Sequence, residues 1–129
     1  MGRAVVCVVR GEGVRDGAVV TVLVLDDESA LLAAIARMLR LHGHRVVAAL
    51  RATEAAAATR VCVFDAVVAD LSAGGLTLCG VVGAPLASRF VFISGGDLDE
   101  ARKTGQPCLQ KPFTYEQLEA AVVSVAVRR

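Results

Sequence analysis

Three aspartates, a serine and a lysine each stand where a short apolar run ends. Val20 to Leu25 (VTVLVL) is followed by Asp26, Asp27 and Glu28, Ala66 to Ala69 by Asp70, Phe90 to Ile93 (FVFI) by Ser94, and Cys108 to Gln110 by Lys111. The first of these runs is of the kind buried on both faces of a parallel sheet, whose strands all end on one edge, where ligands bind. Four such strands would bring carboxylates, a hydroxyl and an ammonium to one place. Two like charges about 4 Å apart repel by roughly 4 kcal/mol at an effective dielectric near 20. One lysine does not offset three aspartates. A hard divalent cation does, and carboxylates with phosphate oxygens and waters are the usual surroundings of Mg²⁺. An aspartate beside such a cation is a competent nucleophile toward a phosphoryl group, giving an aspartyl phosphate. Cation and lysine would neutralise the oxygens of the transferred group while the serine donates a hydrogen bond.

The elements that must position these residues alternate along the chain. After the first strand, Leu31, Leu32, Ile35, Met38 and Leu39 recur on one face of a helix expected from about Glu28 to Leu41, with Gly43 where a C-cap belongs. Arg45 to Leu50 reads as the second strand, and Thr53 as the cap of a short helix from Glu54 to about Arg60. The runs at Ala66, Phe90 and Cys108 give three more strands, and Leu118, Ala121, Val122 and Val125 mark a last helix from about Thr114 to Val127. Strand alternating with helix predicts an α/β fold, doubly wound around a parallel sheet.

At 129 residues and 13.4 kDa the chain is one domain, and at 55% hydrophobic it has enough apolar material for a core. A net charge of +1 leaves no electrostatic footprint for nucleic acid and no basic tail for a membrane surface. The uncharged stretch from Leu71 to Ser88 contains four glycines and Pro85, which argues against a membrane helix. Cys7, Cys62, Cys79 and Cys108 form no C-x-x-C pair, and the expectation is four reduced thiols of a cytoplasmic protein. Residues 1–18 stand apart from residues 19–129. Ala4 to Val9 and the glycines after it could be an edge strand, a remnant of an upstream module or a mobile leader.

Four fragments, in order and each at a strand end, resemble the receiver domain of two-component response regulators: LVLDDE, FDAVVADL, FVFISGG and LQKPF. The resemblance spans about Val20 to Val127. It implies a five-stranded flavodoxin-like sheet of order 2-1-3-4-5 with Asp70 as phosphoacceptor. Asp27 would bind Mg²⁺ directly and Asp26 largely through water, with the Ser72 carbonyl as a further ligand. Ser94 and Lys111 would contact the phosphoryl oxygens, and Lys111 would precede a cis bond to Pro112. The donor would be a histidine kinase or a histidine phosphotransfer protein, in a phosphorelay. The protein would modify its own aspartate and turn over no external substrate.

The chain departs from the family at three places. Ala73-Gly74 stands where Met-Pro is usual, Cys108 where an aromatic is usual, and the 13 residues from Gly95 to Pro107 leave room for a fourth helix of only about two turns. The changes at positions 73–74 and 108 keep open an unphosphorylated pseudo-receiver that serves as an interaction module. A Mg²⁺-dependent phosphate-ester hydrolase is a second alternative, against which stands the lack of a separate general acid or substrate-binding residue near the cluster. With the chain ending at Arg129, action by docking is expected. Asp65 reads as a solvated turn residue, and His42 and His44 as structural groups at a helix end. Val123 and Val127 form a second apolar strip on the last helix, through which a homodimer is expected.

Overall fold

Five parallel strands in the order β2-β1-β3-β4-β5 make the sheet of the computed structural model, which describes residues 19–126. The expected extension over residues 1–18 and the apolar position Val127 lie outside the described residues. In chain order the elements are β1 (Thr21–Leu25), α1 (Ser29–Leu41), β2 (Arg45–Ala49), α2 (Ala52–Val61), β3 (Ala66–Asp70), α3 (Gly75–Val82), β4 (Phe90–Ser94), α4 (Asp99–Arg102), β5 (Cys108–Gln110) and α5 (Tyr115–Ala126). Short 3-10 turns at Leu71–Ala73 and Leu86–Arg89 flank α3. The doubly wound α/β expectation and its strand order are therefore met.

Alternation along the central strands divides the core in two. Val22, Val24, Val68, Val91 and Ile93 face one side, where Leu32, Ile35 and Leu39 of α1 and Leu118, Val122 and Val125 of α5 cover them. Leu23, Leu25, Val67, Phe90 and Phe92 face the other, beneath Ala55 and Ala58 of α2, Leu78 of α3 and Ala101 of α4. Each fully buried leucine, isoleucine or phenylalanine contributes roughly 1.5–3 kcal/mol relative to exposure. Burial on both faces explains why β1, β3 and β4 read as unbroken apolar runs rather than alternating ones. On α1 the expected face is buried at Leu32, Ile35 and Leu39, whereas Met38 is exposed.

Several local expectations are corrected. Thr53 is not a cap, because α2 already begins at Ala52. The open N–H groups of Leu50 and Arg51 are taken instead by the Glu54 carboxylate, at 3.0 and 3.2 Å. α3 occupies the glycine-bearing stretch where the sequence shows no helical charge pattern. α4 is a single turn, shorter than the two turns its loop allows, because residues 103–107 form a turn around Gly105 (φ 79°) that returns the chain to β5. Asp65 is buried rather than solvated, and its Oδ2 accepts the Thr21 N–H at 2.8 Å.

His44 is also buried. Its Nδ1 accepts the Val20 N–H (3.2 Å), so the ring proton sits on Nε2 and is donated to Glu119 Oε2 (2.9 Å). Glu119 accepts the Tyr115 hydroxyl as well, and His42 stacks on the Tyr115 ring at 4.1 Å. Cys79 and Cys108 are free thiols as expected, but Cys62 is disulfide-bonded. Among the described residues no helix is long and apolar enough to cross a membrane.

Candidate functional site

β1 and β3 are neighbours in register, Leu25 opposite Ala69, so the residues that follow, Asp26 and Asp70, emerge side by side. They stand where the strand order reverses, the point at which open α/β sheets form their ligand crevice. Asp26 still donates its N–H to Ala49 O (3.1 Å), which holds the end of β1 against β2. Its carboxylate is fully buried, with Oδ1 accepting the Glu28 N–H at 2.8 Å. Asp70, the last residue of β3, is 1% exposed, and Asp27 is exposed. One carboxylate oxygen from each of Asp26, Asp27 and Asp70 lies within 4.8 Å of the other two.

Lys111 enters from the end of β5 and bridges the two buried carboxylates. Its Nζ lies 3.0 Å from Asp26 Oδ2, 2.9 Å from Asp70 Oδ1 and 4.0 Å from Glu28 Oε1. Partial burial by itself would lower the ammonium's pKa. The hydrogen bonds and charges of Asp70 and Asp26 together outweigh it and hold the value above that of an ordinary lysine. The peptide bond from Lys111 to Pro112 is cis, as the resemblance implied.

Two residues after Asp70, the Ser72 hydroxyl donates to Asp70 Oδ2 and approaches Asp27 Oδ1 at 3.5 Å. The sequence pointed only to the Ser72 main chain here. Its side chain belongs to the cluster too. Gly75, at the start of α3, passes so close that a Cβ placed there would lie 2.9 Å from Asp70 O and 3.1 Å from Ala69 Cβ. Glycine is required because α3 rests directly on the backbone that carries Asp70.

Ser94 closes β4 and is 8% exposed. Its carbonyl accepts the Lys111 N–H at 2.8 Å, and its Oγ accepts the Gly96 N–H at 2.9 Å. The structure therefore gathers Asp26, Asp27, Asp70, Ser72 and Lys111 into one contact network. Ser94 is joined to it through the Lys111 main chain. Gln110, which stands in the LQKPF fragment but to which the sequence assigned no role, donates to the carbonyls of Ser94 and Gly96. Cys108 directs its thiol to Gln106 O at 3.4 Å. Burial raises the thiol's pKa, against the opposing charge of Arg102.

Three carboxylates make an all-oxygen donor set, suited to a hard cation such as Mg²⁺ or Ca²⁺. A single ammonium leaves their charge uncompensated, so the residues present fit a divalent ion. Carboxylates, an oxygen donor set fit for a cation and a lysine at one crevice are the groups that acceptance of an electrophilic phosphoryl group needs.

No protein-family model matches the sequence, nor does any curated protein. Solved structures do. A response regulator receiver protein from Sinorhizobium medicae matches at 28% identity and a TM-score of 0.74, covering 84% of this chain and 94% of its own. A receiver domain protein from Clostridium thermocellum matches at 28% identity and a TM-score of 0.73, with 84% and 94% covered. A response regulator from Burkholderia pseudomallei, solved with a phosphorylated aspartic acid, a calcium ion and citrate, matches at 27% identity and a TM-score of 0.72, with 82% of this chain and 68% of that one covered. In fold and strand order the chain is similar to the CheY-like receiver domains of response regulators.

Proposed function

We propose that the chain is a phosphoacceptor domain of a two-component phosphorelay, in which Asp70 takes a phosphoryl group from the phosphohistidine of a histidine kinase or a histidine phosphotransfer protein. The observation that carries this reading is the Lys111 ammonium within 3.0 Å of both Asp26 and Asp70 carboxylates, with Asp27 completing a three-carboxylate cluster. Mg²⁺ would be held by Asp26, Asp27, Asp70 and the Ser72 carbonyl. When bound it supplies neutralising charge to the oxygens of the transferring group.

A carboxylate oxygen of Asp70 attacks phosphorus in line with the phosphorus–nitrogen bond of the donor. That bond breaks as the oxygen–phosphorus bond forms, and the leaving imidazole takes up a proton. Lys111 stays charged and turns from a carboxylate partner into a partner of the phosphoryl oxygens. Ser94 donates its hydroxyl to one of them. Burial of Asp70 limits access of water to the acyl phosphate. The domain modifies its own aspartate, turns over no external ester and acts through docked protein partners.

The test is incubation with Mg²⁺ and acetyl phosphate, read as an intact-mass gain of one phosphoryl group. Wild type gains it and Asp70→Asn does not. No gain, together with no Mg²⁺ binding at millimolar concentration, would leave an unphosphorylated interaction module. Release of phosphate in excess over protein would instead point to a hydrolase.

A further inference from the structure

The loop after β4 has two glycines and a bond of its own, from the Gly96 N–H to Ser94 Oγ. Ser94 is followed by Gly95 and Gly96, and a Cβ placed on Gly95 would meet nothing within 4 Å. Glycine loses more backbone freedom on ordering than any other residue, so such a loop stays put only if something outside it provides further bonds. One side chain does so at both ends. Gln110 Nε2 donates to Ser94 O and to Gly96 O, each at 3.0 Å. Both hydrogens of the carboxamide are thereby used, one on either side of Gly95. The Gly96 N–H, fixed by the same arrangement, is the donor that meets Ser94 Oγ at 2.9 Å.

The other β5 side chains are turned to different tasks. Leu109 packs into the core beneath α1 and α5, and Cys108 gives its thiol to Gln106 O. Gln110 is also the residue before Lys111, whose ammonium holds Asp26 and Asp70. One strand end thus carries the cation of the site and the clamp on the loop that bears its hydroxyl.

We propose that Gln110 is a positioning residue whose carboxamide clamps the Ser94–Gly96 loop, so that the Ser94 hydroxyl is presented to the phosphoryl group on Asp70. The proposal rests on the phosphoacceptor reading above. Gln110→Met keeps the length of the side chain and removes its donors, whereas Gln110→Arg restores N–H donors on a longer stem. Three quantities are measured on the full chain: amide hydrogen exchange at Gly96, Mg²⁺ affinity by calorimetry, and the rate of phosphoryl gain from acetyl phosphate. In Gln110→Met the Gly96 amide, which donates to Ser94 Oγ, exchanges about tenfold faster or more. Phosphorylation slows about five- to tenfold, with Mg²⁺ affinity within about twofold of wild type. Gln110→Arg moves exchange and rate back toward wild type.

Unchanged exchange in Gln110→Met overturns the clamp. Faster exchange with an unchanged phosphorylation rate overturns its positioning role. A wild-type protein that binds Mg²⁺ but gains no phosphoryl group overturns the phosphoacceptor reading itself, a result distinct from a clamp that fails in a working receiver.

Discussion

Lys111 and Asp70 are the two halves of one ion pair, yet removing them should have opposite effects on stability. Asp26 and Asp70 are 0% and 1% exposed and share a single ammonium. Lys111→Met leaves two buried carboxylates facing each other with no counter-charge. A destabilisation of about 2–4 kcal/mol in the metal-free protein is expected, below the largest values for buried pairs because Lys111 keeps some solvent contact. Asp70→Asn removes the excess charge instead and leaves Asp26 and Lys111 as a simple pair, so it is neutral or stabilises by about 1 kcal/mol. Urea unfolding in chelator, then in Mg²⁺, checks both: the divalent ion should narrow the Lys111→Met deficit, because it supplies the missing charge. Equal deficits with and without Mg²⁺ would mean that the lysine and the ion do not serve the same carboxylates.

At the scale of elements, α5 is fastened at a point remote in sequence from the residues it packs against. Glu119 accepts from His44 Nε2 and from the Tyr115 hydroxyl, joining α5 to the α1–β2 loop. The hydrogen bond from His44 is the main reason that the Glu119 carboxyl titrates below its ordinary value, with Tyr115 adding to it and partial burial opposing. A carboxyl depressed in the folded state stabilises the fold above its unfolded pKa and loses that contribution as pH falls through the folded one. Glu119→Gln should therefore be less stable than wild type by a constant amount from neutral pH down to about pH 5, and the gap should shrink as pH falls toward 3. Denaturant midpoints across that range test it, and a pH-independent gap would show that the carboxyl's charge plays no part.

His44 also marks where the sequence stops being informative. Its position beside Gly43 revealed a helix end, but its partners are 24 and 75 residues away. No local pattern could have named them. Asp65 was misjudged for the same reason, since its partner Thr21 lies across the sheet. By contrast β1, β3 and β4 were legible to within a residue, because burial on both faces forces the whole run to be apolar. Asp26, Asp70 and Ser94 were legible because each stands at the end of such a run, and Lys111 because it follows the short strand β5. α3 was not, because its helix follows a left-handed Gly74 (φ 95°) and carries two glycines and no charge, so packing on β3 rather than propensity decides it. Gln110 was missed because its role is a pair of carbonyl bonds that any exposed polar side chain could in principle make.

For the molecule as a whole, the cluster sits where the ends of β1 and β3 meet the lysine carried in from β5, with one core layer on each side of the sheet. An ion bound there grips strands that unfolding must separate, and it has no comparable site in the unfolded chain. Binding should therefore appear as stability of the entire domain. At a free Mg²⁺ concentration ten times the dissociation constant the gain is about 1.4 kcal/mol, which for a domain of this size raises the thermal midpoint by several degrees. Asp27 is the residue with which to test it. Alone among the three carboxylates it is exposed and has no ion pair with Lys111 among the described contacts, so Asp27→Ala should fold as well as wild type. The expected result is a wild-type midpoint that climbs with Mg²⁺ and an Asp27→Ala midpoint that barely moves. A rise equal in both proteins would place the ion elsewhere on the surface. No rise in either would remove the cation from the site, and with it the charge on which the proposed transfer to Asp70 depends.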